Sequence, residues 1–190
     1  MLFTIGHSNH PTDRFTALLR RHGVEAVADV RSVPYSRRHP QFSQRALAEA
    51  LEAQGIEYLF LGDGLGARPR DPACFTDGRV DFDRLAARPT FAQALGLVRG
   101  EAARRSTAVM CAEREPLDCH RTILVCRHLR GLEIAHILAD GTLEAHDAME
   151  RRMAAAECLV PPPLLASDQT WEAAIDGAYR RRAARMTGRD

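Results

Sequence analysis

The chain has 190 residues, 45% of them hydrophobic, and a formal net charge of +1, which fits one compact domain and argues against a protein that coats DNA. All 26 of its basic residues are arginines, which excludes a pyridoxal phosphate Schiff base and a Walker-type phosphate loop, since both need lysine. Any cation that binds a substrate must therefore be a guanidinium, which matches phosphate or carboxylate with two parallel hydrogen bonds.

Short apolar runs alternate along the chain with longer helical patterns. Strands are predicted at residues 2–5, 24–30, 56–61, 107–112 and 133–138. Helices are predicted at residues 12–21, 43–54, about 83–99 and 119–129, with irregular segments at 31–42 and 67–81. This alternation predicts an α/β fold, namely a mostly parallel sheet of about five strands with helices on both faces.

The chain after residue 150 has a different pattern, because alanine- and arginine-rich helical stretches are interrupted there by the run 161–163 of prolines. The sequence therefore predicts an α/β domain at 1–150 and a helical C-terminal extension at 151–190. We interpret the extension either as an appended helical arm or as an element through which the protein forms homo-oligomers. The arginines at 180–182 are typical of a solvated helix end, and a contact with nucleic acid or with an acidic partner is the alternative.

Several sequence features bear on location and cofactors. No apolar run approaches the ~20 residues of a membrane span, and the first residues lack the basic region of a signal peptide. The five cysteines are odd in number and widely spaced, which favours free thiols in a reducing compartment. The sequence therefore predicts a cytoplasmic protein with no membrane partner. The glycine-rich run 62–66 does not have GxGxxG spacing, so no dinucleotide fingerprint is present and the cofactor stays unknown.

Polar side chains follow the predicted strands at their carboxyl ends. His7 follows the first strand, Asp29 and Arg31 end the second, and Glu113 follows the fourth. Right-handed crossovers place these strand ends along one edge, and open α/β sheets bind ligands at that edge. We therefore expect a site there, with His7, Asp29 and Glu113 as candidates for acid–base catalysis.

The most specific motif of the sequence is the segment from Cys111 to Arg121. Asp118 is expected to cap a helix whose first turn carries Cys119, and the partial positive charge of a helix start favours a thiolate over a thiol. Cys119 is therefore the candidate nucleophile or redox thiol. The alternative is that the cysteines of this region are small core residues, above all Cys111 and Cys126.

The same segment offers ligands for a metal ion. If a metal is bound, the predicted ligands are Cys111, Cys119 and His136, and Glu113 and His120 are also acceptable ligand types. However, the sequence has neither a CxxC pair nor an HExxH helix. Cys119 and His120 are adjacent, so we expect their side chains to point in different directions.

The irregular segment 31–42 is rich in arginine, and guanidinium groups beside the sheet edge are suited to grip phosphate. Tyr35 offers a ring that can stack on a base. The predicted anion-binding set is Arg31, Tyr35, Ser36, Arg37, His120 and Arg121. The alternative is that the arginines pair with acidic residues such as Asp29 and simply stabilise the fold.

Four motifs occur in order at 5–9, 29–37, 111–121 and 136–141. Together they closely resemble the bacterial and archaeal family called domain of unknown function 488, over residues 1 to about 150. The resemblance implies an α/β fold and a cytoplasmic location, and it brings no established activity.

These observations predict an enzyme that acts on an anionic substrate, such as a nucleotide, a nucleic-acid component or a phosphorylated metabolite. Arg31, Arg37 and Arg121 are expected to hold the anion, and Cys119 is expected to react. Two alternatives stay open: a module that binds nucleic acid without catalysis, and a metalloprotein with cysteine and histidine ligands.

Overall fold

The computed structural model describes residues 1–188. The strands in these residues are β1 (Leu2–Gly6), β2 (Ala26–Asp29), β3 (Glu57–Phe60), β4 (Phe75–Thr76), β5 (Arg79–Val80), β6 (Thr107–Cys111), β7 (Ile134–Ile137) and β8 (Leu143–Ala145). The α-helices are α1 (Thr12–Arg21), α2 (Gln44–Glu52), α3 (Gly62–Leu65), α4 (Phe82–Ala86), α5 (Pro89–Arg104), α6 (His146–Ala156) and α7 (Asp168–Thr187). A π-helix at Arg121–Val125 continues into a 3-10 turn at Cys126–His128. Within the described residues, no helix is both long and apolar enough to cross a bilayer.

Six strands form one sheet in the order β3-β2-β6-β1-β7-β8. The first five are parallel, and β8 pairs antiparallel with β7. The predicted α/β fold with a mostly parallel sheet is therefore confirmed. The sixth strand, Leu143–Ala145, is not predicted from sequence, because three residues carry too little alternation to indicate a strand and only the pairing with β7 defines it.

Helices cover both faces of the sheet, as predicted. On one face Phe3, Ile5 and Met110 pack against the buried sides of α1 and α2. On the other face Leu2 and Val109 pack with residues of α5, the π-helix, α6 and α7. Both faces of the sheet are covered by apolar residues. The polar residues therefore lie at the edge formed by the carboxyl ends of the parallel strands.

The C-terminal helix α7 packs on the second face of the sheet and shares its core. Tyr179 of α7 is buried, and its hydroxyl donates a hydrogen bond to Glu150 at 2.8 Å. Arg182 and Arg185 form ion pairs with the buried carboxylate of Glu157. Arg182 of the basic run is thus held within the chain. The last two residues of the predicted extension lie outside the described part of the chain.

Gly6 ends β1 directly beneath the loop that carries Glu113. A Cβ atom at Gly6 would overlap the carbonyl oxygen of Glu113, so only glycine lets this loop approach the strand. We expect Gly6→Ala to displace Glu113 and to lower the free energy of unfolding by about 1–3 kcal/mol, measured by urea denaturation.

Gly96→Ala is the matched control for this change. Gly96 lies in the middle of α5, where an added Cβ has no neighbour within 4 Å. The substitution is therefore expected to raise stability by about 0.5–1 kcal/mol, because alanine is the better helix former. If Gly6→Ala were as harmless as Gly96→Ala, the close approach of the Glu113 loop to β1 would be wrong.

Candidate active site

A cavity of about 780 Å³ opens at the carboxyl ends of β1, β2 and β6. The predicted site residues that line it are His7, Arg31, Tyr35, Ser36, Cys111, Glu113 and His120. The predicted residues that do not line it are Asp29, Arg37, Cys119, Arg121 and His136. These predicted residues come from three separate motifs of the chain, which meet at the edge where open α/β sheets bind ligands.

Two thiols, a carboxylate and an imidazole form a cluster at the wall of the cavity. The Sγ atoms of Cys111 and Cys119 lie 3.0 Å and 3.1 Å from the same Oε2 atom of Glu113. The Nδ1 atom of His120 lies 3.4 Å from the Sγ atom of Cys111. Cys111 reaches the cavity, whereas Cys119 is fully buried behind it.

The surroundings of the cluster shift the pKa values of the two thiols in opposite directions. Burial raises the pKa of Cys111, and the neighbouring Cys119 raises it further. Burial also acts to raise the pKa of Cys119, but the Cys111 thiol and the positive charges of Arg121 and His120 outweigh it, so the pKa falls well below its usual value. Partial burial, followed by the negative charge of Cys119, raises the pKa of Glu113. The cluster therefore favours a thiolate at Cys119 and a neutral thiol at Cys111.

The backbone at Cys119 differs from the predicted helix start. Cys119 is extended, with a φ of −128°, and the helical turn begins only at His120. The predicted cap by Asp118 is wrong, because its carboxylate pairs with Arg182 at 2.7 Å. This change from extended to helical backbone turns Cys119 and His120 towards the same point. The expectation that these adjacent side chains diverge is therefore also wrong.

Arg121 is fully buried beneath the cluster and does not reach the cavity. Its guanidinium donates to the carbonyl oxygens of Glu113 at 2.5 Å and Arg114 at 3.3 Å, and to the hydroxyl of Thr4 at 3.4 Å. The structure therefore gives Arg121 a positioning role for the Glu113 loop in place of the predicted anion-binding role.

Arg31 and Asp29 form a buried ion pair at the end of β2. The guanidinium of Arg31 approaches the Asp29 carboxylate to 2.6 Å, and the Tyr58 hydroxyl donates to the same carboxylate at 2.7 Å. Another nitrogen of Arg31 donates to the carbonyl oxygen of Phe42 at 2.8 Å. Asp29 has no exposed surface, so it is not available as the predicted acid–base group. The contacts of Arg31 instead match the alternative in which the arginines of segment 31–42 pair with acidic residues such as Asp29 and stabilise the fold.

His7 is held in a defined tautomer between two partners. Its Nδ1 atom lies 2.9 Å from the carbonyl oxygen of Ser8 and must donate to it, while Nε2 accepts from Arg31 at 3.1 Å. Burial, followed by the positive charge of Arg31, lowers the pKa of His7 to about 4. The imidazole is therefore neutral near pH 7 and presents no free proton donor to the cavity.

The rim of the cavity is lined by Arg38 and His39, which belong to the arginine-rich segment 31–42, and by Arg68, which lies outside it. Arg37, which is in the predicted anion-binding set, does not line the cavity. Among residues 1–188 neither Arg38 nor Arg68 has an ion-pair partner, since the ion pairs are made by other arginines. The sequence does not indicate a role for Arg68, because this residue lies outside the four motifs. The feature that could have pointed to it is the preceding glycine run, which forms α3 and brings the Arg68 backbone nitrogen within 2.9 Å of the Ser32 hydroxyl.

His136 does not join the thiol cluster. Its Nδ1 atom lies 2.7 Å from the Thr4 hydroxyl, and its Nε2 atom lies 3.0 Å from His146. Within the described residues, the group that brings metal-binding atoms together is Cys111, Glu113, Cys119 and His120. The predicted ligand set is therefore corrected, with His120 and Glu113 in place of His136.

Comparisons with known proteins bear on the family and leave the activity open. No curated protein and no solved structure matches the chain. The sequence model of the family described as "Domain of unknown function DUF488" matches residues 11–127, which is more than half of the chain and includes β2, β6 and the thiol cluster. On this match, the chain belongs to the DUF488 family.

Proposed function

We propose that this protein is a cytoplasmic enzyme that acts on a small anionic substrate, such as a nucleotide or a phosphorylated metabolite. The observation that carries the proposal is the content of one cavity, which is lined both by a thiol–carboxylate–imidazole cluster and by two guanidinium groups that form no ion pair among residues 1–188. Free, widely spaced cysteines support the cytoplasmic location, since such thiols suit a reducing compartment.

The two ends of the cavity have different tasks in this proposal. Arg38 and Arg68 hold the anionic group, because a guanidinium without a carboxylate partner keeps its donors free for phosphate or carboxylate. The reacting group of the substrate then meets Glu113 and Cys111, which line the cavity together with His120. Glu113 accepts hydrogen bonds from both thiols, so its carboxylate is placed to exchange a proton with Cys111 or with the bound substrate.

The rim is tested by anion binding in the full chain. A panel of nucleoside phosphates and phosphorylated metabolites is screened by thermal denaturation, and a ligand at about 100 times its Kd is expected to stabilise the fold by about 2.7 kcal/mol. The double change Arg38→Gln and Arg68→Gln is expected to abolish this stabilisation. Arg45→Gln is the matched control, because that side chain is 92% exposed on α2 and lies outside the cavity.

Three outcomes would contradict the proposed function. If no anion stabilises the protein, or if Arg45→Gln weakens binding as much as the double change, the rim is not the anion site. If long nucleic acids bind instead, with an affinity that falls steeply as salt rises and with no chemical change in the ligand, the protein is a nucleic-acid-binding module.

A further inference from the structure

We propose that Cys111, Glu113, Cys119 and His120 form a binding site for a divalent transition metal, and that Zn²⁺ is the ion their donor atoms fit best. This inference does not rest on the proposed function, because a metal can bind here whatever ligand the cavity takes.

The spacing of the four donor atoms matches a tetrahedral site. Metal–ligand bonds of about 2.0–2.3 Å place the corners of a tetrahedron about 3.3–3.8 Å apart. The thiol–carboxylate distances of 3.0 Å and 3.1 Å and the thiol–imidazole distance of 3.4 Å are close to these edges. All four donor atoms lie within 4.8 Å of one another. Small side-chain movements are therefore enough to place every donor at bonding distance.

His120 is already oriented as a metal ligand. Its Nε2 atom lies 2.9 Å from the backbone carbonyl oxygen of Val30 and donates to it. This hydrogen bond orients the ring so that Nδ1 faces the thiols, and in the neutral ring that a metal binds, Nδ1 carries the lone pair. Metal-binding histidines commonly use such a second hydrogen bond to a carbonyl or carboxylate, which orients the ring.

The surrounding charge suits a divalent ion. Two thiolates and one carboxylate exceed the charge of Zn²⁺ by one negative charge. The buried guanidinium of Arg121 lies close enough to Cys119 to interact with it electrostatically, and among residues 1–188 Arg121 forms no ion pair with a carboxylate. The metal-bound cluster and Arg121 together are therefore neutral, which lowers the cost of burying both.

The donor types select among metals. Thiolate and imidazole ligands favour Zn²⁺ and related transition metals, whereas Mg²⁺ and Ca²⁺ take oxygen ligands. Glu113 occupies the position nearest the cavity, and the other three ligands are buried. Both cysteines bind the metal as thiolates, so the Cys111 thiol and any other protonated ligand of the cluster release their protons to solvent when the metal binds.

The test uses the full chain, stripped of metal with a chelator and titrated with Zn²⁺ alone or Co²⁺ alone. We expect one equivalent to bind, and the Co²⁺ form is expected to show thiolate-to-metal charge transfer and tetrahedral visible bands. Cys119→Ala and His120→Gln are expected to weaken binding by more than about 100-fold, since loss of an outer contact alone costs about 10- to 100-fold. Circular dichroism establishes that each variant is folded.

Cys126→Ala is the matched control for these variants. Cys126 is a buried thiol of the same core, and burial raises its pKa to about 12, but it lies outside the cluster. It is expected to keep the wild-type metal affinity. Equal losses in Cys126→Ala and Cys119→Ala, or a Co²⁺ spectrum without charge transfer from sulfur, would overturn the proposal.

A second measurement on the wild-type chain does not depend on how any variant folds. X-ray absorption of the Zn²⁺-loaded protein is expected to show two sulfur ligands at about 2.3 Å and two nitrogen or oxygen ligands at about 2.0–2.2 Å. A shell without sulfur, or with four sulfurs, would overturn the site. The double change Arg38→Gln and Arg68→Gln is expected to leave metal binding intact, so that loss of the metal site and loss of the anion site are distinguished.

Discussion

Replacing Arg121 with methionine is expected to lower the free energy of unfolding by about 2–5 kcal/mol, measured by urea denaturation. The change removes the donors that bind the carbonyl oxygens of Glu113 and Arg114. Each buried acceptor left without a partner costs about 1–3 kcal/mol, and Cys119 also loses the neighbouring positive charge. Because the Glu113 loop is then no longer held, the distance from the carboxylate to the thiols is also expected to increase.

Arg45→Met is the control for this prediction. The Arg45 side chain is 92% exposed and pairs only with Glu49, so the change is expected to alter stability by about 0.5 kcal/mol or less. A loss at Arg121 no larger than the loss at Arg45 would show that water reaches the Glu113 and Arg114 carbonyls. The positioning role of Arg121 would then be wrong.

Replacing Asp29 with asparagine is expected to lower the free energy of unfolding by about 3–5 kcal/mol, because breaking a buried pair leaves an uncompensated charge. Arg31 is 5% exposed and would keep only its contacts with neutral groups, such as the Phe42 carbonyl. Tyr58 would lose a charged acceptor for its hydroxyl. Chemical denaturation of the variant and the wild-type chain measures the difference.

Glu49→Gln is the matched control, since it breaks the exposed pair of Arg45 and Glu49. Its expected effect is about 0.3–0.5 kcal/mol, as for other helix-surface pairs. If Asp29→Asn were as mild as Glu49→Gln, solvent in the cavity would be screening the Arg31 guanidinium. Arg31 would then be a cation that is available to bind a ligand in the cavity, and not one that Asp29 holds in the fold.

The predicted α/β alternation identified every parallel strand of the sheet, because buried parallel strands are continuous apolar runs bounded by polar turns. Local patterns failed where long-range pairing or packing decides the backbone. The strand Leu143–Ala145 exists only through its pairing with β7. The π-helix Arg121–Val125 replaces an ordinary helix start, and it is this backbone that brings His120 and Cys119 together.

The location of the candidate site also followed from topology, since His7, Arg31 and Glu113 each follow a strand whose carboxyl end lies at one edge. The topology did not predict which arginines would be free to bind a ligand. Arg31 and Arg121 lie in the motifs and are bound to groups of the protein, whereas Arg38 and Arg68 are free of ion pairs among the described residues. Arg182, predicted to lie at a solvated helix end, pairs with the buried Glu157.

By itself, the sequence determined that every strong cation of this protein is a guanidinium and that the parallel strands carry their polar residues to one edge. Only the tertiary structure decided which guanidiniums remain available to a ligand. The physical reason is that a buried guanidinium must satisfy its donors with whichever oxygens pack against it. Those oxygens belong to residues such as Asp29 and Glu113, whose proximity to a given arginine depends on how the strands and loops are assembled.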